Sequence, residues 1–402
     1  MILFLRVGTR LIQRILHLSM YFLPFHEPKV LHSENPLEEL HQLLTQRNTK
    51  KIFIVSDPVV SKLPYFQRLL ASIQTDFEIS IFNQVIPNPS IQRIEMAYLQ
   101  YKAFQPDVLI AIGGGSSIDL AKGIGVRATR PRKTLQSRKG ILRVLVRQPF
   151  MIAIPTTAGT GSEATVACVV TDETTHEKYA INDPVLIPKI ALLDPHALVG
   201  LPPMVTATTG MDALTHAIEA YIGHSNTRKT KRMAKEAVSL IYSHLYSSFE
   251  DGANLEHRQA MLRASYQAGV AFTRAYVGNV HALAHQLGGM FQVPHGLANA
   301  VLLPHVLRYY GKSVVSRLST LFVTIEPASI SLDAEARSLA MIEWIESLNR
   351  KMGIPTKLAL DAQEDQIRLM SKRAFHEANP LYPVPVIFDE VDFMNLYHQI
   401  LS

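Results

Sequence analysis

The stretch DVLIAIGGGSSIDLAKG, residues 107–123, joins a short apolar strand to a helix through three consecutive glycines. Glycines at this point let backbone N–H groups approach a phosphate, and the first turn of the helix adds partial positive charge. The stretch therefore predicts an α/β fold with a pyrophosphate-binding turn. Its spacing is not G-x-G-x-x-G, so an ordinary strand-to-helix turn stays open as the alternative.

The surrounding sequence changes pattern once, near Leu201-Pro202-Pro203. Before this turn, short apolar runs alternate with helical stretches, which is typical of a mostly parallel sheet; after it, the period is helical. We expect an α/β dinucleotide-binding domain at 30–200 and an all-α domain at 201–402, behind an N-terminal extension at 1–29. The expected strands are KIFIVSD, EISIFN, DVLIAIGGG, FMIAIP and KIALLD, and the expected helices lie near 211–223, 228–247, 257–272, 298–309 and 335–352.

Composition excludes several classes of protein. With 402 residues, 47% of them hydrophobic and 18% charged, the chain can bury a large core, which argues against disorder. A single cysteine, Cys168, excludes an internal disulfide and a zinc ribbon and favours a cytoplasmic protein.

The net charge of +6 has a local origin. Residues 127–147 contain eight basic side chains and no acidic one, leaving 32 Lys and Arg against 34 Asp and Glu elsewhere. We interpret this segment as a solvated loop or insertion, with an anion-binding patch as the alternative. We expect no nucleic-acid partner.

The N-terminal residues 1–25 predict a basic amphipathic helix. Arg6, Arg10 and Arg14 recur every fourth residue and would share one face, interrupting a sequence rich in Leu, Ile and Phe. Two alternatives follow for this extension: packing on the protein itself or on a neighbouring subunit, which we expect, and peripheral contact with a membrane surface. The uncharged part is too short to span a bilayer.

Two further features fit a dinucleotide. Asp57 ends the strand KIFIVSD, where a carboxylate can accept hydrogen bonds from ribose hydroxyls and repel a 2′-phosphate, which favours NAD over NADP. Its alternative role is that of a turn or cap residue before Pro58. The loop PTTAGTGSEAT, residues 155–165, offers hydroxyls and glycines suited to a phosphate or the nicotinamide.

The second half of the chain carries residues suited to a metal ion. Asp212 and His216 are four apart on an expected helix, and three histidines, His281, His285 and His295, fall within fifteen residues. An i, i+4 pair projects from one helix face, and carboxylate and imidazole groups together bind divalent ions. The sequence therefore predicts a divalent-metal site in the helical half.

Together these motifs resemble the iron-containing (group III) alcohol dehydrogenases, which include lactaldehyde reductase and several butanol and propanediol dehydrogenases. The resemblance runs from about Val30 to about Met352. It implies a dehydroquinate synthase-like fold, with an α/β N-terminal domain and an all-α metal-binding domain, in a homodimer or other homo-oligomer. The motifs are GGGSSIDLAKG, PTTAGTGSE, MDALTHAIE, HALAHQLGG and VPHGLANAVLLPHV.

The resemblance also implies roles for single residues. His285 would stand beside the metal as a proton relay. The metal would be Fe²⁺, although the same ligands accept Zn²⁺. The implied metal ligands are Asp212, His216, His281 and His295, and the implied NAD contacts are Asp57, Gly114, Gly115, Ser116, Asp119, Thr156, Thr157, Ser162 and Lys178.

The expected activity is NAD- and metal-dependent oxidation of a small alcohol, or reduction of the aldehyde or ketone, by hydride transfer. Two alternatives are kept: a sugar-phosphate cyclase-like lyase on the same fold, and a membrane-surface interaction protein on a dehydrogenase scaffold. Arg274, Tyr276 and Asn279, and the proline-rich segment after Asn379-Pro380, depart from the family pattern and leave the substrate open.

Overall fold

The computed structural model of the protein describes residues 2–19, 25–175 and 177–401, except for the side chains of residues 2–6, 16 and 19. The chain divides into two compact units. An α/β unit takes in Pro24–Leu201 and Ala253–Leu262. A helical unit takes in Pro202–Gly252, Arg263–Ser402 and the N-terminal helix.

The α/β unit contains a six-stranded sheet in which every pairing is parallel. All five expected strands are present, and a short strand at residues 29–31 adds an edge that was not predicted. Its strands are β1 (Lys29–Leu31), β2 (Lys51–Val55), β3 (Glu78–Phe82), β4 (Val108–Gly113), β6 (Phe150–Pro155) and β9 (Ile190–Leu192). Their order across the sheet is β1-β9-β6-β4-β2-β3.

A smaller sheet was missed from the sequence. It consists of β5 (Gly140–Ile141), β7 (Ala167–Asp172) and β8 (Glu177–Asn182), with β7 and β8 antiparallel. Helices α2 (Pro36–Gln46), α3 (Pro64–Ile73), α4 (Ile91–Phe104) and α5 (Gly115–Thr129) complete the unit. Helix α5 is buried along most of its length because its side chains join the apolar core of β2, β4 and β6.

The all-α prediction for the second half is confirmed, and each of the five expected helices is present. Four others were not named in advance, at Asn279–Phe291, Val315–Ile325, Glu364–Ala378 and Glu390–Ile400. The helices are α1 (Ile2–Ser19), α6 (Pro203–Ile222), α7 (Arg228–Glu250), α8 (Leu255–Ala275), α9 (Asn279–Phe291), α10 (His295–Tyr310), α11 (Val315–Ile325), α12 (Ala334–Lys351), α13 (Glu364–Ala378) and α14 (Glu390–Ile400).

Helix α1 packs through its polar residues. The Arg10 guanidinium donates to the carbonyls of Val384 and Pro385, and the Gln13 amide donates to the carbonyl of Tyr382 at 2.6 Å. Burial lowers the pKa of Arg10. Arg10 is therefore tied to the protein, as the packing alternative expects. Arg14 is exposed, and the Arg6 side chain lies outside the described residues.

The basic segment 127–147 begins in the last turn of α5 and continues as a loop that contains β5, and two of its arginines donate to the segment's own backbone. Arg127 pairs with Glu95 and donates to the Lys133 carbonyl, while Arg130 donates to the Val144 carbonyl. These bonds fit the interpretation of the segment as a loop or insertion. In the described part of the chain, no helix is both long and apolar enough to cross a membrane.

Candidate functional site

Four side chains of the helical unit form a compact group. Asp212 and His216 lie one turn apart on α6, His281 lies on α9, and His295 is the first residue of α10. One potential ligand atom from each lies within 4.8 Å of all the others. The structure thus brings together the four residues that the sequence suggested as metal ligands.

The distances suit a divalent ion. The Oδ1 of Asp212 lies 3.5 Å from the Nε2 of His295 and 3.8 Å from that of His281. Ligands about 2.1 Å from a tetrahedral ion are about 3.4 Å apart, so only small shifts are needed. The Nε2 atoms of His216 and His281 are closer, at 2.9 Å. One carboxylate and three imidazoles fit Fe²⁺ or Zn²⁺.

A buried carboxylate, Glu219, holds His281 in place. Its Oε2 lies 2.6 Å from the Nδ1 of His281, so the Nε2 of that ring faces the ligand group. The backbone N–H groups of Gly278 and Val280, at the start of α9, donate to the same carboxylate at 2.8 Å. A carboxylate behind a ligating histidine fixes the ring and raises its basicity.

The glycine at 278 makes this contact sterically feasible. A Cβ at Gly278 would lie 2.7 Å from the Oε1 of Glu219. Burial raises the pKa of Glu219 to about 8, against the opposing effect of the two N–H donors, and burial also lowers the pKa of His281. A cation bound at His281 would favour the carboxylate form of Glu219.

Two neighbours orient the other ligands. The amide of Asn299, one turn after His295 on α10, donates to the Oδ1 of Asp212 at 2.7 Å. The ring of Phe272 stacks on His216 with centroids 4.2 Å apart. Both contacts restrict the rotamers of the metal-ligand candidates.

His285 lies beside the group, one turn after His281 on α9. Its ring stacks on His295 at a centroid distance of 5.2 Å, and its Nδ1 lies 2.5 Å from the Oε1 of Glu377 on α13. The hydroxyl of Tyr382 also donates to this oxygen, at 2.8 Å. The resemblance placed His285 beside the metal, and the structure puts it next to two of the ligand candidates.

The glycine turn of the α/β unit requires a glycine at position 113. Gly113 has φ +151°, and a Cβ there would lie 2.3 Å from the Ser117 hydroxyl. The next residue, Gly114, caps α5 and lies against the side chain of Thr157, and Gly115 is the first residue of that helix. The backbone N–H of Thr156 donates to the Gly113 carbonyl at 3.0 Å. The loop after β6 therefore borders the turn.

Two other candidates for cofactor contact are linked through Asn88. The Asn88 backbone N–H donates to the Ser116 hydroxyl at 3.2 Å, and its side-chain oxygen accepts from the Lys178 ammonium at 2.8 Å. Ser116 and Lys178 thus lie on either side of one residue, near the first turn of α5.

Asp57 combines the turn role considered from the sequence with a position beside the glycine turn. Its Oδ1 accepts from the backbone N–H groups of Val59 and Val60, as a turn residue does. Its Oδ2 lies at the glycine turn, 3.5 Å from the position of a Cβ on Gly113. The capping role therefore leaves one oxygen facing the turn.

Asp119 and Ser162 belong to a buried network. The Ser162 hydroxyl donates to Asp119 at 2.6 Å, and the Lys122 ammonium donates to Ser162 and to the Ala167 carbonyl. Burial raises the pKa of Asp119 and lowers that of Lys122. These contacts tie α5 to the loop at 155–165, so both candidates help to shape the turn.

The sequence did not reveal four residues that support the group. Glu219 follows His216 by three positions and Asn299 follows His295 by four, so helical spacing offered a signal for both. Glu377 and Tyr382 lie more than 90 positions beyond His285 and carried no such signal.

Comparison with known proteins agrees with this geometry. The model of iron-containing alcohol dehydrogenases matches residues 27–195, and that of the C-terminal part of the Fe-containing alcohol dehydrogenase family matches 206–401. The 1-propanol dehydrogenase PduQ of Citrobacter freundii is 35% identical over 82% of this chain and 86% of its own. The NADPH-dependent butanol dehydrogenase of Clostridium saccharobutylicum is 34% identical over 84% of this chain and 88% of its own. A crystal structure of a 1,3-propanediol oxidoreductase has a TM-score of 0.89 at 32% identity, covering 94% of this chain and all of that one.

The chain therefore belongs to the iron-containing alcohol dehydrogenase family, and it is an oxidoreductase. The resemblance drawn from the motifs and the predicted fold class are both confirmed. The cofactors of the family are NAD(P) and Fe²⁺.

Proposed function

We propose that this protein oxidises a small alcohol with NAD⁺, and reduces the matching aldehyde or ketone with NADH, at a divalent metal held by Asp212, His216, His281 and His295. The observation that carries the proposal is the grouping of these four ligand atoms within 4.8 Å. In oxidation, the carbinol carbon gives a hydride to the nicotinamide and the hydroxyl gives up a proton, so the products are the carbonyl compound, NADH and H⁺.

The residues have separate tasks. A divalent ion at the four ligands supplies Lewis-acid polarisation of an alcohol or carbonyl oxygen. Glu219 and Asn299 keep His281 and Asp212 oriented. His285 takes the proton of the hydroxyl during oxidation and returns one during reduction. Its position beside His295 and His281 supports this role.

The cofactor is proposed to bind at the glycine turn of the α/β unit. The turn residues Gly114 and Gly115 and the bordering hydroxyls support a pyrophosphate contact. The Oδ2 of Asp57, which faces the glycine turn, supports ribose binding. The charge of this carboxylate supports NAD preference, because it would repel a 2′-phosphate. The proposed contacts are Asp57, Gly114, Gly115, Ser116, Asp119, Thr156, Thr157, Ser162 and Lys178.

Domain roles follow from these assignments. We propose residues 30–200 as the dinucleotide-binding domain and 201–402 as the metal and substrate domain. A cytoplasmic location is supported by the lone, buried cysteine. The lyase alternative is not favoured, because family membership points to alcohol oxidation.

The partner assignments are proposals as well. Four side chains on one side of α1, each about 60% exposed, form an apolar stripe: Val7, Leu11, Ile15 and Leu18. With exposed Arg14 nearby, the stripe supports peripheral contact with an anionic membrane surface. Cosedimentation of the full chain with anionic vesicles, compared with Leu11→Ser, tests this contact. Light scattering tests the expected homo-oligomer, and loss of that oligomer in Leu11→Ser would assign the stripe to a subunit contact.

The activity is tested on protein purified without oxygen. Metal content and NADH production are measured across short alcohols and diols for the wild type, His281→Ala, and the control His398→Ala, a surface histidine paired with Glu364. We expect His281→Ala to lose metal and turnover together, and His398→Ala to keep both. Full metal content and turnover in His281→Ala would overturn the proposal.

A further inference from the structure

Two histidines that lie one turn apart on α9 each pair with a carboxylate from another helix. His281 pairs with Glu219 inside the protein, where both side chains are at most 2% exposed. His285 pairs with Glu377, and both of these side chains are 25% exposed. The first pair includes the proposed metal ligand His281, whereas the second pair lies beside the proposed ligands and is partly exposed to solvent. The second pair therefore has a different task.

Three donors converge on Glu377. Its Oε1 lies 2.5 Å from the Nδ1 of His285 and accepts from the Tyr382 hydroxyl at 2.8 Å. Its Oε2 accepts from the Gln286 side-chain amide at 2.8 Å. An ionised carboxylate only accepts hydrogen bonds, so His285 must supply its Nδ1–H. In the neutral ring the lone pair then lies on Nε2, which is the atom able to take up a proton.

The plane of the His285 ring is fixed independently of Glu377. The ring stacks on His295 with 18° between planes, and it meets His281 edge-on at a centroid distance of 5.9 Å. These two contacts set the plane, and the bond to Glu377 selects which nitrogen carries the proton. Orientation and tautomer are thus set by separate groups.

The segment that carries Tyr382 is secured by α1. Gln13, which is 3% exposed, donates to the Tyr382 carbonyl at 2.6 Å, and Arg10 donates to the carbonyls of Val384 and Pro385. The backbone N–H of His224 donates to the Pro383 carbonyl at 2.7 Å. Residues 382–385 are thereby held from two sides, and the Tyr382 hydroxyl is directed to Glu377.

We propose that Glu377 is a positioning residue that holds His285 in its Nδ1–H tautomer, and that α1 completes this arrangement by seating Tyr382 against Glu377. The inference rests on the proposed proton-relay role of His285. During oxidation, the hydroxyl proton moves to Nε2 while the hydride leaves for the nicotinamide. The resulting imidazolium keeps its Nδ1–H on the Glu377 carboxylate, which stabilises the positive charge. In reduction the proton returns by the same route.

The first experiment is a double-mutant cycle between Glu377→Gln and His285→Ala. We expect Glu377→Gln to lower kcat about 10- to 100-fold with metal content and the KM for NAD⁺ unchanged, as for a group that orients a catalytic one. In the His285→Ala background, the second substitution should cost nothing further. Glu364→Gln is the matched control, because Glu364 lies on the same helix and pairs with the surface histidine His398.

The outcomes distinguish the relay role of His285 from the positioning role of Glu377. If His285→Ala keeps full turnover, the relay role fails, and the positioning role fails with it. If His285→Ala loses turnover while Glu377→Gln keeps it, only the positioning role is overturned. Fully additive losses would show that Glu377 acts through another group and would also overturn it.

A second readout does not depend on turnover. Ring ¹⁵N signals of His285 in the zinc-loaded protein should report an Nδ1–H tautomer in the wild type and a mixture of tautomers in Glu377→Ala. An unchanged Nδ1–H tautomer in the variant would overturn the assignment to Glu377.

The contribution of α1 is tested by Gln13→Ala together with Tyr382→Phe. Each substitution should lower kcat by a smaller factor than Glu377→Gln does. The loss in the double variant should be smaller than the two single losses combined. A loss in Tyr382→Phe with full turnover in Gln13→Ala would overturn the part assigned to α1. Equal metal content and a single cooperative thermal transition well above the assay temperature verify that the variants are folded.

Discussion

The interaction between Glu219 and His281 yields the sharpest quantitative prediction. The Oε2 of Glu219 faces two donors, the N–H of Gly278 and the Nδ1 of His281, while its Oε1 faces the N–H of Val280. Glu219→Gln keeps the shape of the side chain but provides a single acceptor oxygen. When that oxygen serves the first two donors, the new NH₂ group points at the N–H of Val280.

The expected costs to stability and to metal binding follow from this count of donors and acceptors. One hydrogen bond inside the protein is lost and one buried N–H is left without an acceptor, at a cost of about 1–3 kcal/mol. The removed negative charge also lowers the basicity of His281 as a ligand. Loss of such a partner behind a ligating histidine weakens metal binding about 10- to 100-fold, or about 1.4–2.7 kcal/mol.

The assay is chelator competition on the zinc-loaded protein, with the wild type, Glu219→Gln and Glu364→Gln compared at one pH. The midpoint for Glu219→Gln should move to about 10- to 100-fold lower chelator concentration, and that of the surface variant should not move. Metal retention equal to that of the wild type in Glu219→Gln would refute the role given to this carboxylate.

Three further predictions concern other parts of the chain. Asp57→Asn keeps the turn but removes the charge, so NADP use relative to NAD should rise about tenfold in kcat/KM; a wild type that uses both equally would contradict this. Burial raises the pKa of Glu163 from 4.5 to about 7, so its contribution to stability is present below pH 4.5 and is lost, by about 3 kcal/mol, as the pH rises to 7. In Glu163→Gln, the free energy of unfolding in urea should fall less steeply with pH over this range than in the wild type. An unchanged pH slope would contradict the prediction. Arg10→Ala should lower the free energy of unfolding by about 1.5–3 kcal/mol through its lost bonds to Val384 and Pro385, whereas exposed Arg14→Ala should change it little; equal urea midpoints for the two variants would contradict the packing of α1.

The α/β half could be predicted because buried parallel strands are continuous apolar runs. Runs such as KIFIV and VLIAIG carry that signal without reference to the rest of the fold. The small sheet had no such signal, because β8 reads EKYAIN, which is neither a continuous apolar run nor a regular alternation of polar and apolar residues. Its partner β7 follows a glycine-rich loop that hides its start.

The metal group was also predictable in part. Asp212 with His216, and His281 with His285, repeat at one helical turn, a spacing visible in the sequence alone. Glu377 and Tyr382 could not be assigned in the same way. Packing of α13 against α9 brings Glu377 to His285, and Tyr382 reaches Glu377 from the segment after α13. A lone glutamate near Asn379-Pro380 has no pattern that separates it from a surface residue.

The N-terminal helix shows a different limit. Its spacing predicted a shared basic face, but Arg10 and the buried residues Thr9 and Gln13 turn toward the protein while apolar side chains face outward. Hydrophobic periodicity identifies the two faces of a helix but does not say which face packs on the protein. Here the polar face does, because carbonyl groups of residues 382–385 accept its hydrogen bonds.

X-ray absorption spectroscopy of the anaerobically purified protein tests the central claim most directly, because it reports the ligands of the bound metal. Asp212, His216, His281 and His295 predict a first shell of nitrogen and oxygen at about 2.0–2.2 Å with outer-shell scattering from three imidazoles. His281→Ala should lose the metal and, with it, this shell. A shell without imidazole scattering, or one that is unchanged in His281→Ala, would contradict the account.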